Sequence, residues 1–150
     1  MLSKSCGYAI RGILYLALKA PEGRKIGIQE MADALGVPLH FMGKIMQNLV
    51  RRDIINSTKG PNGGFYLRDT TLDVPVINIV EAVDGFSAFR RCVLNLPECS
   101  ATNPCPLHNE LTQYREILYR VLCRRTIHNL VIDIQSGESH LRGGVLPGLS

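Results

Sequence analysis

The chain has 150 residues, is 45% apolar, and carries five cysteines and no tryptophan. This length predicts one compact domain plus an appendage, and no apolar run approaches the roughly 20 residues of a membrane-crossing helix, which argues against a membrane partner. The formal net charge is +4, but residues 1–70 hold 10 Lys/Arg against 5 Asp/Glu while residues 71–150 hold 7 against 8; basic charge gathered in one half favours a polyanionic partner, double-stranded DNA first.

Residues 4–20 carry Ile10, Ile13, Leu14, Ala17 and Leu18 at helical spacing, and Pro21-Glu22-Gly23 stops the run. A short second helix is expected from Ile28 to Leu35, with Met31, Ala32 and Leu35 on one face and Gly36 at its C-terminal end. Val37-Pro38 opens a third helix whose apolar face is Phe41, Ile45, Leu49 and Val50. Helix, short turn and helix within 25 residues make a helix-turn-helix pattern. The other face of the third helix presents His40, Gly43, Lys44, Gln47, Asn48 and Arg51, side chains that suit base edges or phosphates but equally an ordinary solvated face.

The next segment favours the DNA reading. Ile54 to Lys59 and Phe65 to Arg68 read as strands around Gly60-Pro61-Asn62-Gly63-Gly64, a turn with fixed φ at Pro61 and permissive φ at the glycines. The hairpin has a narrow tip that fits a minor groove, and it must pack on the helices through Ile54, Phe65 and Leu67. A further helix is expected from Val74 to Val83, ending at Asp84-Gly85.

Then comes the most specific motif, Cys92-x6-Cys99-x5-Cys105-x2-His108, in a loop with Pro97, Pro104 and Pro106. Thiolate and imidazole are ligands for soft or borderline metals. The lack of a secretory signal and the odd cysteine count point to a reduced, cytoplasmic setting rather than a disulfide framework. Structural zinc usually takes a C-x2–4-C knuckle, whereas these wider gaps suit a larger object such as an iron–sulfur cluster. A long amphipathic helix is expected over 107–134, with a break in its pattern near Arg125. Its stripe, Leu107, Leu111, Tyr114, Leu118 and Val121, needs either its own domain or a second subunit as partner, and the expected dimer interface is Leu111, Tyr114, Leu118, Val121 and Leu122. Gly, Ser and Pro in the tail predict disorder over 135–150.

Taken together these residues resemble the dimeric winged-helix regulators of the IscR and NsrR type. The resemblance covers about residues 1–134 and rests on Ser3-Lys4…Tyr8-Ala9-Ile10-Arg11, the wing Lys59-Gly60-Pro61-Asn62-Gly63-Gly64-Phe65, Glu81-Ala82-Val83-Asp84-Gly85, and the cysteine loop before a long helix. It implies a mainly α fold: a winged helix-turn-helix DNA-binding domain with a small hairpin wing (1–85), an iron–sulfur loop (86–106), a dimerisation helix (107–134) and the tail. It further implies cluster ligation by Cys92, Cys99, Cys105 and His108, similar to the IscR-type 2Fe–2S set, with 4Fe–4S left open. DNA contacts are expected from Ser3, Lys4, His40, Phe41, Lys44, Gln47, Asn48, Lys59, Gly60, Pro61, Asn62, Gly63 and Gly64, on a near-palindromic operator bound by a homodimer. The first cysteine gap is six residues where that type usually has five. Gly7 replaces the acidic ligand of the NsrR type, and Gly43 replaces an IscR recognition-helix glutamate. Cys6 is either an alternative ligand across a dimer or a plain helix thiol, and Cys123 is expected to pack at the dimer seam. The alternative function is an interaction protein, zinc-stabilised or thiol-switched, that docks a partner through the long helix and loop. No nucleophile–base pair or phosphate loop in the right context suggests an enzyme.

Overall fold

Helical spacing puts Ala9, Ile13, Leu14 and Leu16 inside α1 (Lys4–Lys19), the helix around which the others assemble. The structure, a computed structural model, describes residues 2–20 and 24–141. Ser3 caps α1, its Oγ accepting the Cys6 N–H at 3.0 Å and satisfying one of the donors a helix start leaves open. Helix α2 (Ile28–Leu35) ends as expected at Gly36, whose φ of 62° lets its N–H reach the carbonyls of Ala32 and Asp33.

Pro38 stands just before α3 (Leu39–Arg51), as its N-cap. The buried face of α3 is Met42, Ile45, Met46 and Leu49, while Phe41 is 55% exposed. The expected apolar face is therefore rotated: the (i, i+4) pairs 42/46 and 45/49 point at α1, and Phe41 points outward. Gly12 permits this approach, because a Cβ there would lie 2.6 Å from Met42 Cε and 3.0 Å from Met46 Sδ.

The wing is shorter than its sequence suggests. Strands β1 (Asn56–Thr58) and β2 (Gly64–Tyr66) pair antiparallel with Ser57 opposite Phe65. Ile54 and Ile55 precede β1 as buried core residues. Ile26 adds a bridge to the far side of β2, its N–H donating to Phe65 O at 2.9 Å and its carbonyl accepting the Phe65 N–H at 2.8 Å. Both side chains are buried, so a hairpin that would be marginal alone is held to the body. A 3-10 turn, Asp69–Asp73, follows; its buried Thr71 donates to Ile54 O at 2.8 Å.

Helix α4 (Val76–Asp84) packs on α1, α3 and the chain's next long helix. Two backbone hydrogen bonds join its start to residues far along the chain: Val76 N–H to Arg125 O at 2.8 Å and Ile127 N–H to Val74 O at 3.1 Å. They correct the single helix expected over 107–134. The segment forms α5 (His108–Arg124) and α6 (Ile127–Gln135), with Arg125 extended and Thr126 capping α6 by accepting the Asn129 N–H. Ile127 and Val131 are buried in the main core, so the last third of the expected dimerisation helix belongs to the body. Of the expected disordered tail, Gln135 ends α6 and residues 142–150 lie outside the described residues. No helix among the described residues is long and apolar enough to cross a membrane.

Gly64 has φ of 151°, and a Cβ on it would lie 2.7 Å from Ile26 O. Gly64→Ala is expected to destabilise the protein by about 2 kcal/mol or more, read as a lowered urea midpoint. A stability equal to that of the parent would show that the Ile26–Phe65 bridge does not anchor the wing.

Candidate DNA-contacting face and metal centre

Helix α3 and the wing lie next to one another in the chain and share the core that α1 organises. On their outer side His40, Phe41, Lys44, Gln47, Lys59, Gly60, Pro61 and Asn62 are exposed, and Gly63 and Gly64 are half-buried; Lys4, exposed too, opens α1. The His40 and Phe41 rings meet edge-on at 5.7 Å. Gly60, at φ 103°, turns the chain out of β1. Asn48 is different: its Nδ2 donates to Ala82 O at 2.8 Å and ties α3 to α4. Ser3 is engaged too, its N–H donating to Asp84 Oδ2 at 2.8 Å and its hydroxyl donating to Asp84 Oδ1. Asp84 therefore links the start of α1 to the root of the cysteine loop.

The loop leaves α4 at Gly85, makes the 3-10 turn Phe86–Phe89, and runs irregularly to α5. Cys92 is buried, and Cys99, Cys105 and His108 are half-buried. Cys99 Sγ lies 3.4 Å from His108 Nδ1. The Leu96 backbone N–H holds the Cys92 thiol below its ordinary pKa against the effect of burial, with help from the Leu94 N–H, the neighbouring Cys105 thiol and the charge of Arg115. Of the four sequence candidates, Cys99 and His108 are in contact, while Cys105 bears on Cys92 only through its part in lowering the Cys92 pKa. They do not converge on one point: among the described residues no three His, Cys, Asp or Glu side chains are grouped to hold a single metal ion. Cys92 and Cys99 line one cavity of about 330 Å³ together with Arg90, Arg91 and Asn95. Three thiols and an imidazole are donor types that both iron–sulfur clusters and zinc accept. All five cysteines are free.

Arg115 was not among the sequence candidates, although it sits seven residues, two helical turns, after His108. Its guanidinium donates to Cys99 Sγ at 3.1 Å, to Arg91 O at 2.9 Å, to Thr112 Oγ1 at 3.2 Å and to Leu111 O at 3.3 Å. Cys6 is fully buried against Val76, Ile77, Val80 and Leu122. Burial, aided by the Asp84 charge, pushes its thiol up to about 12, which fits the plain helix thiol and not a ligand. Cys123 packs against the same small core, and its contact raises the pKa of the Tyr119 hydroxyl.

Helix α5 has two apolar faces. Leu111 and Leu118 are half-buried and Leu122 is buried against α4, so Leu122 packs within its own subunit and is corrected as an interface candidate. Tyr114, Ile117 and Val121 are 51%, 61% and 41% exposed at three- and four-residue spacing. Ile117 belongs to this outward stripe and was missed, because the sequence pattern alone did not show which stripe faces α4.

The chain matches the Rrf2 family, described as "Iron-dependent Transcriptional regulator", over residues 2–133. It is 30% identical to an HTH-type transcriptional regulator of Aquifex aeolicus over 143 residues, 94% of this chain and 96% of that one. It is also 30% identical over 132 residues to Protein aau3 of Rhizobium meliloti, covering 87% of this chain and 84% of the other. Among solved structures, CymR, the global cysteine regulator of B. subtilis, shares the fold with a TM-score of 0.69 at 17% identity, over 88% of this chain and 96% of that one. T. potens IscR does so with a TM-score of 0.68 at 16% identity, over 93% and 92%. The mainly helical fold with a two-stranded wing, the match across nearly the whole chain and the regulator relatives agree: this protein belongs to the Rrf2 family of winged-helix transcriptional regulators and is not an enzyme.

Proposed function

We propose that the chain is a cytoplasmic, homodimeric DNA-binding regulator whose operator binding responds to an iron–sulfur cluster held by Cys92, Cys99, Cys105 and His108. The observation that carries this is that Cys99 contacts His108 at 3.4 Å and shares a cavity with Cys92, where the loop from the DNA-binding body reaches α5. The family's iron-dependent description and the fold shared with T. potens IscR support it. When bound, the cluster supplies a redox couple and a covalent restraint on the loop, with 2Fe–2S favoured by the IscR-like set of three cysteines and a histidine and 4Fe–4S the alternative. The chain's own residues do the rest. Asp84 connects the loop root to the cap of α1, α5 carries the loop's other end, and the state of the loop biases the placement of the two recognition helices. The exposed members of the nominated DNA set, above all Lys44, Gln47, Lys59 and the Gly60–Gly64 tip, face the duplex; Asn48 and Ser3 act by holding the frame.

A second reading has its own observation: the Cys92 thiol is held below its ordinary pKa, with Cys105 among the causes, and oxidation of the two by air to a disulfide would make a thiol switch. Anaerobic purification followed by iron, sulfide and zinc analysis separates the readings. A coloured protein with iron and acid-labile sulfide in comparable amounts is expected. A colourless, metal-free protein that forms a Cys92–Cys105 disulfide in air would favour the thiol switch, and one zinc per chain would favour a structural metal.

Lys59 stands exposed at the base of the wing, where it meets phosphate or minor groove. Lys59→Ala should weaken binding to all sequences and flatten the salt dependence by about one unit of slope. Normal affinity with an unchanged slope would remove the wing from the DNA.

The outward stripe on α5 is the proposed seam between two copies, which would set two recognition helices about 34 Å apart on a near-palindromic site. Ile117→Asp combined with Val121→Asp should give monomers in light scattering and much weaker operator binding. A dimer that survives this change would place the seam elsewhere.

A further inference from the structure

We propose that Arg115 is a positioning residue for the cluster loop: it clamps Cys99 and the backbone just before Cys92 to α5 and keeps a fixed positive charge beside Cys99. The proposal rests on the cluster reading above. Its geometry is specific. One guanidinium nitrogen of Arg115 donates to Cys99 Sγ at 3.1 Å, so it touches the Cys99–His108 pair. The other donates at 2.9 Å to the carbonyl of Arg91, the residue before Cys92, so it holds the Cys92 segment through the backbone. Nε and a further contact to Thr112 Oγ1 tie the same group to its own helix. Four of the five N–H donors of the fork are engaged by these contacts. His108, Thr112 and Arg115 recur at positions i, i+4 and i+7, one face of α5, so ligand and clamp ride on the same helix.

The chemistry calls for such a residue. A ligand cysteine coordinates as a thiolate, and three of them concentrate negative charge in one loop. A guanidinium stays charged and offers a rigid planar fork, which an ammonium on a flexible stem cannot reproduce. Hydrogen bonds and charge at ligand sulfur are among the means by which a protein sets a cluster's potential. The loop has little else to hold it, since Val93, Leu94 and Leu96 are each about half exposed. Arg115 also gives the loop a mechanical path to α5, whose outward stripe lies on neighbouring positions.

The test compares wild type with Arg115→Ala, Arg115→Lys and, as a control, Arg124→Ala on the exposed end of α5. In anaerobically purified protein, Arg115→Ala should lose its visible absorbance about tenfold faster under a chelator, and its midpoint potential should shift to more negative values, because a positive charge that favours the reduced cluster is gone. Arg115→Lys should restore the potential but not the retention, since it keeps the charge and loses the fork. Arg124→Ala should match wild type in both. Retention and potential unchanged in Arg115→Ala would overturn the proposal, as would equal changes in Arg124→Ala. Hydrogen exchange on metal-free protein tests the clamp separately: amides of residues 90–99 should exchange faster in Arg115→Ala than in wild type. Unchanged exchange there overturns the clamp, whereas a wild type that never holds iron overturns the cluster reading and leaves the exchange result to stand on its own.

Discussion

The backbone pairing of Val74 and Val76 with Arg125 and Ile127 organises the second half of the molecule. Arg125 must be extended to make it, and a helix cannot continue through an extended residue. The C-terminal segment therefore folds as two helices. One, α6, returns to the core beneath α1, where Ile127 is fully buried. The other, α5, is fixed at its C-terminal end beside the start of α4 and projects its N-terminal end toward the cysteine loop. Without this pairing the loop would have one anchored end; with it, both ends are held.

The loop's other anchor is electrostatic. Asp84, the last residue of α4, accepts both the backbone N–H and the hydroxyl of Ser3, and Ser3 in turn caps α1. A carboxylate at a helix start complements the partial positive charge there. The loop that carries three cysteines is thus fastened at one end to the helix on which α3 packs, and at the other to the helix that exposes Tyr114, Ile117 and Val121. A change within the loop has a short path to the recognition helix and to the outward stripe alike.

The wing obeys a different constraint. Its strands have three residues each, too few for independent stability, and the Ile26 bridge makes up the difference. That bridge demands a backbone approach at Gly64 that no side chain would allow. The glycines of the turn therefore have two separate jobs: Gly60 shapes the tip, and Gly64 lets the hairpin lie against the body.

Much of this was legible in the sequence, for local reasons. Helices α1 to α4 and the wing follow from residue periodicity, from Gly36 as a left-handed cap and from the Pro-Asn-Gly-Gly turn, all of which act within a few residues. Cys92, Cys99, Cys105 and His108 stand out in the sequence as candidate ligands because thiols and imidazole clustered in a polar loop have few other uses. What the chain alone left open depends on contacts between distant residues. The division of 107–134 needs Val74 and Val76, about 50 positions earlier. Which side of α5 is buried depends on where α4 lies, so Leu122 and Ile117 exchanged roles. Asn48 is polar in either setting, and only the position of Ala82 makes it a tether. Arg115 is an ordinary helix arginine until the loop folds back over α5. Local chemistry set the elements and marked the candidate ligands by itself; tertiary packing decided their partners, because a hydrogen bond between distant segments exists only after the chain has closed on itself.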